Sequence, residues 1–369
     1  MHFVGITRFN LVTTATLGHF NSTAKLTLPE AKAHVYQPEK LRIKLDTFEH
    51  FCIPTYRALS ADTRSHGLVL ISHDLPQPFK DEVEALCASV PRLHVVEFAD
   101  DDTLRGRIDP ILARIGGEGR VFNYRYDDDD LLSADFLTDV DSLCADVPTG
   151  TVVSMNKGFV VGRLGADSYG AFENLDPLNA YGLGMVVDAT EPRNIFDVGP
   201  HDKVKDSVAH NTSTPSWIAF RHGLNDSQSN VSELKRLKQL QANARSGAET
   251  VTVLAGHFPH LDLEALQILP VLSPEANLEA IARRAIRRTR VLEKALKVER
   301  QKNVGHGGAG DIDATDLLQS TRAALASARK QLSEIKGSRS FKLGRAIATT
   351  RSLRSVMTLP QRAWAATRR

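Results

Sequence analysis

Along the first 126 residues, short apolar runs alternate with longer stretches in which apolar positions recur three and four apart. Residues 3–9, 67–72, 93–98 and 120–126 read as strands, and residues 41–59, 80–89 and 103–115 read as helices. This alternation is the βαβ rhythm of a parallel sheet with helices on its faces, so the pattern predicts an α/β fold.

The pattern changes after residue 150. Residues 151–230 read as short strands and turns, with strands at 151–154 and 184–187 joined by loops rich in Asn, Asp, Gly and Pro. That composition suits a substrate-binding half carried on loops. A polar helical stretch at 233–241 and a loop at 257–261 lead into a mostly helical region. There Leu278, Ile281, Ala282, Ala285, Ile286 and Leu292 recur at helical spacing beneath Arg283, Arg284, Arg287, Arg288 and Arg290. A second helix at 314–335 follows the glycine-rich break at 305–310, and the two predict a helical hairpin or coiled coil over 275–336. The last segment, 337–369, sets Phe341, Leu343, Ile347, Val356, Met357, Leu359 and Trp364 among lysines and arginines. This is the pattern of an interfacial membrane anchor, or of helices that pack on another protein.

Charge sharpens the division. Net charge is +2 over 369 residues, yet residues 275–369 hold 21 Lys and Arg against 8 Asp and Glu, while residues 1–274 hold 25 against 36. A body near −11 and a tail near +13 predict that the tail meets an anionic surface or folds back on the body. No run of about 18 apolar residues predicts a membrane-spanning helix, and the sequence opens on a strand-like segment; the expectation is a cytoplasmic protein, peripheral on the inner face of the membrane through its tail. The three cysteines, Cys52, Cys87 and Cys144, are widely spaced in apolar surroundings and read as buried thiols, neither a disulfide framework nor a zinc site.

The most concentrated chemistry is the run Asp127-Asp128-Asp129-Asp130, at the end of the strand predicted over 120–126. An acidic run taken alone is more often a solvated loop or a helix cap, and here Asp130 or Ser133 is placed to cap a helix through Phe136, Val140 and Leu143. Its position between an apolar strand and an amphipathic helix favours a functional reading, because ligands of open α/β sheets gather at the carboxyl ends of the strands. Adjacent carboxylates raise one another's pKa unless a cation offsets them, which points to a divalent metal and, on it, a nucleotide diphosphate.

Three phrases in order carry a resemblance: residues 4–9 (VGITRF), residues 125–136 (RYDDDDLLSADF) and residues 217–225 (WIAFRHGLN). Together they resemble the putative rhamnosyltransferase family of GT-A-type glycosyltransferases over roughly residues 1–230. The resemblance implies a GT-A-like, Rossmann-related mixed sheet with flanking helices, followed here by a helical basic C-terminal extension. It also implies a glycosyltransferase domain over 1–274, divided into a nucleotide-binding half (1–150) and an acceptor half (151–274). Carried over, Asp127 and Asp129 form the DxD pair, with Asp128 and Asp130 as substitutes in an ambiguous register. His222 is similar to the histidine that completes the metal shell in such enzymes, giving Asp127, Asp129, Asp130 and His222 as metal ligands. The metal expected is Mn²⁺ or Mg²⁺, with Mn²⁺ the more tolerant of an imidazole.

Arg8, just past the first strand, together with Arg125, Asp127 and Asp128, is the expected donor-binding set; Arg42 and Lys44 rank below Arg8, since basic residues on a helical face are usually only solvated. A base for an acceptor hydroxyl should be a carboxylate or histidine of the second half, where Asp188, His201 and Asp202 are the candidates. The expected partners are a nucleotide-sugar donor, a glycan or lipid-linked acceptor and an anionic membrane surface, with nucleic acid disfavoured. Two other readings compete with a metal-dependent glycosyltransferase: a metal-dependent nucleotidyl or phosphoryl transferase, for which no glycine-rich phosphate loop is present, and a non-catalytic metal-binding scaffold with a basic partner-binding tail.

Overall fold

β1 (His2–Arg8) buries every residue from Phe3 to Thr7, the pattern of a strand covered on both faces. The structure, a computed structural model, describes residues 1–17, 23, 25–200, 204, 208–222 and 231–272, the side chains of 231–235 excepted. The helical hairpin and basic tail predicted over 275–369 lie outside the described residues. Packing divides the chain into two units, Met1–Asp226 with Gln239–Leu272 and Ser227–Lys238 with Ser273–Arg369, and both sheets belong to the first.

The βαβ rhythm is present. After β1 come α1 (Leu28–Val35) and α2 (Pro38–Thr47); α2 runs through a π-helical turn, Phe48–Cys52, into α3 (Ile53–Leu59). Next are β2 (Ser65–Ser72), α4 (Gln77–Ala88), β3 (Leu93–Phe98), α5 (Leu104–Gly116) and β4 (Arg120–Arg125). The single helix expected over 41–59 is therefore three pieces starting from Pro38, whose missing N–H suits a first helical turn. α5 starts where the Thr103 hydroxyl accepts from the Gly106 N–H at 3.0 Å.

β5 (Asp130–Leu132) and α6 (Phe136–Cys144) follow, then β6 (Val152–Met155), β7 (Lys157–Gly165), β8 (Ser168–Leu175), β9 (Gly184–Asp188), a 3₁₀ turn at Ile195–Val198, β10 (Val208–Asn211) and β11 (Trp217–Arg221). α7 (Val231–Ala242), β12 (Ala244–Arg245), α8 (Gly247–Leu254) and α9 (Leu263–Ile268) complete the described part.

Among the described residues the strands form a seven-stranded sheet, ordered β10-β6-β9-β4-β1-β2-β3, and a five-stranded sheet, ordered β12-β8-β7-β11-β5. In the larger sheet β1 lies between β2 and β4, parallel to both, and β9 runs antiparallel between β4 and β6. The register sets Ile6 opposite Arg125 and Arg8 opposite Leu70, so the carboxyl ends of these strands share one edge. Gly5 makes room there, because a Cβ would stand 2.8 Å from the Tyr124 Oη.

Each sheet has its own core. Ile108 and Leu112 of α5 pack with Val4, Ile6, Leu68 and Val121 on the larger sheet. On the smaller one, Phe51 of the π turn joins Leu131, Ile218 and Phe220 and residues of α8 and α9. Phe51 and Phe220 stack with ring centroids 4.0 Å apart, tying the helical layer to β11. Burying an aromatic side chain of this size stabilises by about 2–3 kcal/mol. The three cysteines are buried and free. Among the described residues, no helix is long and apolar enough to cross a membrane.

One local expectation is corrected. Neither Asp130 nor Ser133 caps α6: Asp130 is the first residue of β5, and the residue preceding α6 is Asp135. Leu131 and Leu132 pair with Ile218 and Trp217 of β11, which keeps the chain extended past the aspartates before a helix can start.

Candidate active site

The aspartates are the crossing between the two sheets. Beyond β4 the Tyr126 N–H still donates to the Ile6 carbonyl at 3.1 Å, and β5 then pairs antiparallel with β11, Asp130 opposite Ala219. Tyr126 braces the turn by donating its hydroxyl to the Asp130 carbonyl at 3.1 Å. Because β11 ends at Arg221, this pairing delivers the next residue, His222, back to the run.

The four carboxylates differ in surroundings. Asp128, Asp129 and Asp130 are buried, and Asp127 is partly buried. The Lys44 ammonium of α2 stands between two of them, 2.7 Å from Asp128 Oδ1 and 2.8 Å from Asp129 Oδ2. Asp129 Oδ2 also lies 2.9 Å from Nε2 of the fully buried His222. Arg8 and Arg125 face Asp127, and Arg221 faces Asp130.

Charge and burial set the protonation. Burial opposes ionisation of Asp129, yet Lys44 and the His222 hydrogen bond outweigh it and hold its carboxyl far below the usual range. Burial pushes Asp128 up to about 7, with Lys44 resisting and Asp129 adding to the rise. Asp130 is raised well above its ordinary value by burial, then by Asp129 and Asp127; Asp127 is raised by burial against the pull of Arg8. Lys44 loses solvation on burial but is held above its usual pKa by Asp128 and Asp129. Burial lowers Arg125 to about 10, with Arg8 adding to the fall.

These contacts revise the premise that four adjacent aspartates need a divalent ion for charge balance alone. Lys44, Arg8, Arg125 and Arg221 already surround them. Lys44, ranked in sequence below Arg8 as a solvated helical cation, is only 19% exposed at its side chain and bridges Asp128 and Asp129. Its signal was available in principle: it lies between the buried Leu41 and Leu45 of α2, near enough to the core-facing side to reach inward. Arg42, by contrast, pairs with Glu82 at 2.8 Å.

Arg8 and Arg125 both lie over Phe196. Their guanidinium carbons lie 4.8 and 5.1 Å from the Phe196 ring centroid, and Arg125 Nη2 also donates to the Gly199 carbonyl at 2.6 Å. Arg125 therefore fastens the 3₁₀ turn as well as facing Asp127. Asp188 is not brought to the site. It pairs in register with Arg120, the first residue of β4, at the edge opposite the aspartates, because β9 runs antiparallel. Its Oδ1 accepts from the Thr190 N–H and hydroxyl, at 2.9 and 2.7 Å. Asp188 is thus corrected from candidate base to turn residue; His201 and Asp202 lie outside the described residues.

Carboxylate oxygens with one imidazole are donors suited to Mn²⁺ or Mg²⁺, but no three of Asp127, Asp129, Asp130 and His222 have ligand atoms within 4.8 Å of one another. Among the described residues the group that is gathered so closely is His73, Asp74 and Asp100, at the same sheet edge. Lys32 of α1 is ion-paired to both carboxylates there. A cavity of about 930 Å³ opens elsewhere, lined by His2, His66, His94 and Arg107, and shares no lining residue with the aspartate site.

A family model described as putative rhamnosyl transferase matches residues 2–234. No curated protein matches the sequence. Among solved structures, the chain is similar to S. aureus TarS 1–349 in complex with UDP-GlcNAc, at 11% identity over 90% of this chain and 91% of that one, TM-score 0.29. It is similar to the mannosyltransferase PcManGT from Pyrobaculum calidifontis in complex with GDP-Man and Mn²⁺, at 13% identity over 90% and 86%, TM-score 0.33. It is also similar to the inositol-1-phosphate CTP transferase from T. maritima, at 10% identity over 65% and 96%, TM-score 0.26.

Proposed function

The chain belongs to the putative rhamnosyl transferase family, and from that premise we propose that it moves a sugar from a nucleotide-sugar donor to a glycan or lipid-linked acceptor at the aspartate crossing. The observation that carries the reading is the placement of Asp127 to Asp130 at the carboxyl edge of β4, with Arg8 and Arg125 beside them and His222 returned by β11. An aspartate run in a solvated loop would not be buried among Lys44, His222 and three arginines. The strand order, with β9 inserted antiparallel into an otherwise parallel sheet, suits the GT-A-like architecture that the resemblance implies.

Sugar transfer leaves a nucleotide diphosphate whose negative charge grows as the bond to the anomeric carbon breaks. A divalent cation, held in this reading by Asp127, Asp129, Asp130 and His222, would supply that stabilisation when bound. The residues of the chain do the rest. In this reading Asp127, the least buried of the four, meets the donor, Arg8 orients the diphosphate, and Asp129, hydrogen-bonded to His222, keeps its carboxylate ionised. Rhamnose is the sugar that the family description suggests for the donor. The basic segment 337–369 would keep the enzyme at an anionic membrane surface, and a chain ending at residue 337 should then fail to sediment with anionic liposomes.

Calorimetric titration with UDP, GDP and TDP, with and without Mn²⁺, on the wild type and Asp129→Ala tests the reading. Metal-enhanced binding of one nucleotide, lost in the variant, is expected. Failure of all three to bind would reduce the aspartates to a structural crossing between sheets.

A further inference from the structure

Three histidines stand where the larger sheet would otherwise present apolar side chains. His2, His66 and His94 each lie two residues before a buried apolar residue of the same strand, Val4, Leu68 and Val96. Side chains two apart share a face, so all three rings sit on the face that Ile108 and Leu112 of α5 cover further along. The register sets Val4 opposite His66 and Leu68 opposite His94, which spreads the rings in a diagonal row across the amino ends of β1, β2 and β3.

α5 does not fill the space above them. It passes with Gly106 and Pro110, one turn apart and both without a long side chain, and the cavity of about 930 Å³ is what remains. Pro110 has no N–H, so the Gly106 carbonyl also lacks its usual helical donor. Leu68, Val96, Ile111 and Ile115 give the cavity an apolar floor, and Arg107 and Arg114 bring charge from the helix.

The charge around the rings is one-sided. Glu97 is the acidic residue of the lining, and its carboxylate is taken by Lys80. Arg107 is engaged with Asp102 and with the Glu97 carbonyl. Arg114 and the three rings have no hydrogen-bond or ion-pair partner among the described residues, and His2 Nδ1 is buried without one. That leaves Nε2 as the His2 nitrogen able to meet a ligand. Burial lowers the His66 pKa to about 4, and His2, Arg92 and His94 all push it the same way.

We propose that this cavity binds a small phosphate ester, its phosphate held by the histidine rings and Arg114 and its organic group on the apolar floor. Donors arrive from a sheet on one side and a helix on the other. That suits a tetrahedral anion, which accepts in several directions, better than a planar carboxylate. The site is separate from the aspartate crossing, because β1 carries His2 at one end and Arg8 at the other, about 20 Å apart. A bound anion favours the charged form of a histidine, so occupancy raises the His66 pKa.

The test uses the full-length protein at constant ionic strength, without nucleotide or metal. Phenyl phosphate and inorganic phosphate are titrated by calorimetry at pH 6, and the histidine rings are followed by NMR of their nitrogens, assigned from His2→Gln, His66→Gln and His94→Gln. Phenyl phosphate should bind about tenfold more tightly than inorganic phosphate, because its ring covers apolar surface. Arg114→Gln, a change at an exposed position, should weaken it about fivefold. The His66 titration midpoint should rise when phenyl phosphate is bound. Equal affinity for the two probes, or binding unaffected by Arg114→Gln, would reduce the cavity to a nonspecific cationic patch and overturn the proposal. Binding that leaves the three rings' signals unchanged overturns it too, as does no binding at all. Because metal and nucleotide are both absent, this result and that of the nucleotide titration stand or fall separately.

Discussion

His222 Nε2 and Asp129 Oδ2 meet at 2.9 Å although 93 residues separate them in sequence. The contact exists because the chain leaves the larger sheet at Tyr126, enters the smaller one at Asp130 and pairs there with the strand that ends beside His222. The antiparallel pairing of β5 with β11 is thus the element that assembles the candidate site.

Removing His222 should cost stability as well as function. In His222→Leu the buried Asp129 carboxylate loses a donor, and a lost bond to a buried charged group costs about 1.5–3 kcal/mol. His222→Gln, which retains an N–H donor, should recover part of that loss. Urea unfolding of the three proteins at pH 7.5 measures it; equal stability of His222→Leu and wild type would show that the hydrogen bond contributes nothing net.

Lys44→Met should destabilise the metal-free protein by about 3 kcal/mol at pH 8, because it leaves a buried carboxylate pair without the ammonium that bridges it. The loss should shrink as pH falls from 8 towards 7. Lys44 holds the Asp128 carboxyl down to about 7 against burial, so in the variant Asp128 takes up its proton at higher pH and removes one of the uncompensated charges. Thermal melts at pH 6 and 8 measure the difference, and a pH-independent loss would contradict the charge argument.

Much of the larger sheet was legible because strands covered on both faces are nearly unbroken apolar runs. Residues 93–98 match β3 at both ends, and the run at 120–126 gives β4 with one residue to spare. The carboxyl-edge position of the aspartates followed directly. The smaller sheet was less legible. Its strand β5 is three residues long and reads as a loop or helix start until β11 is known to pair with it. Asp188 was misjudged for a related reason: strand direction cannot be read from an apolar run, and only the antiparallel insertion of β9 sends Asp188 to the far edge. Lys44 was ranked below Arg8 because which way a helical lysine points depends on the packing of α2 as well as on its own type.

Gly158 fixes how closely β7 approaches β11. A Cβ there would stand 2.2 Å from Trp217 Cδ2 and 2.4 Å from the Trp217 carbonyl oxygen, so backbone and indole would both have to move. The indole is held by its Nε1–H, which donates to the Met155 carbonyl at 2.7 Å. Gly158→Ala should therefore destabilise by about 2–3 kcal/mol, the upper part of the range of about 1–3 kcal/mol for overpacking a well-filled site. Differential scanning calorimetry decides it, and a melting temperature within a degree of the wild type would mean that β7 shifts freely.

His260 should make the fold acid-sensitive. Burial lowers its pKa from 6.5 to about 4, against a smaller upward pull from a backbone hydrogen bond at Leu132, and the Thr55 hydroxyl lies 3.2 Å from its Nε2. A histidine depressed in the folded state binds fewer protons there than in the unfolded chain. Its contribution is therefore full above about 6.5 and is lost as pH falls from 6.5 through about 4. A shift of this size corresponds to about 3 kcal/mol. His260→Gln, which keeps a polar group near Thr55 but cannot titrate, should flatten that part of the pH–stability curve while leaving the carboxylate-dominated fall at lower pH in place. Unfolding by guanidinium at half-unit steps from pH 7 to 4 provides the curve. Parallel slopes for the two proteins over this window would show that the imidazole is solvated when protonated, and that the contact between α3 and the loop before α9 opens at little cost.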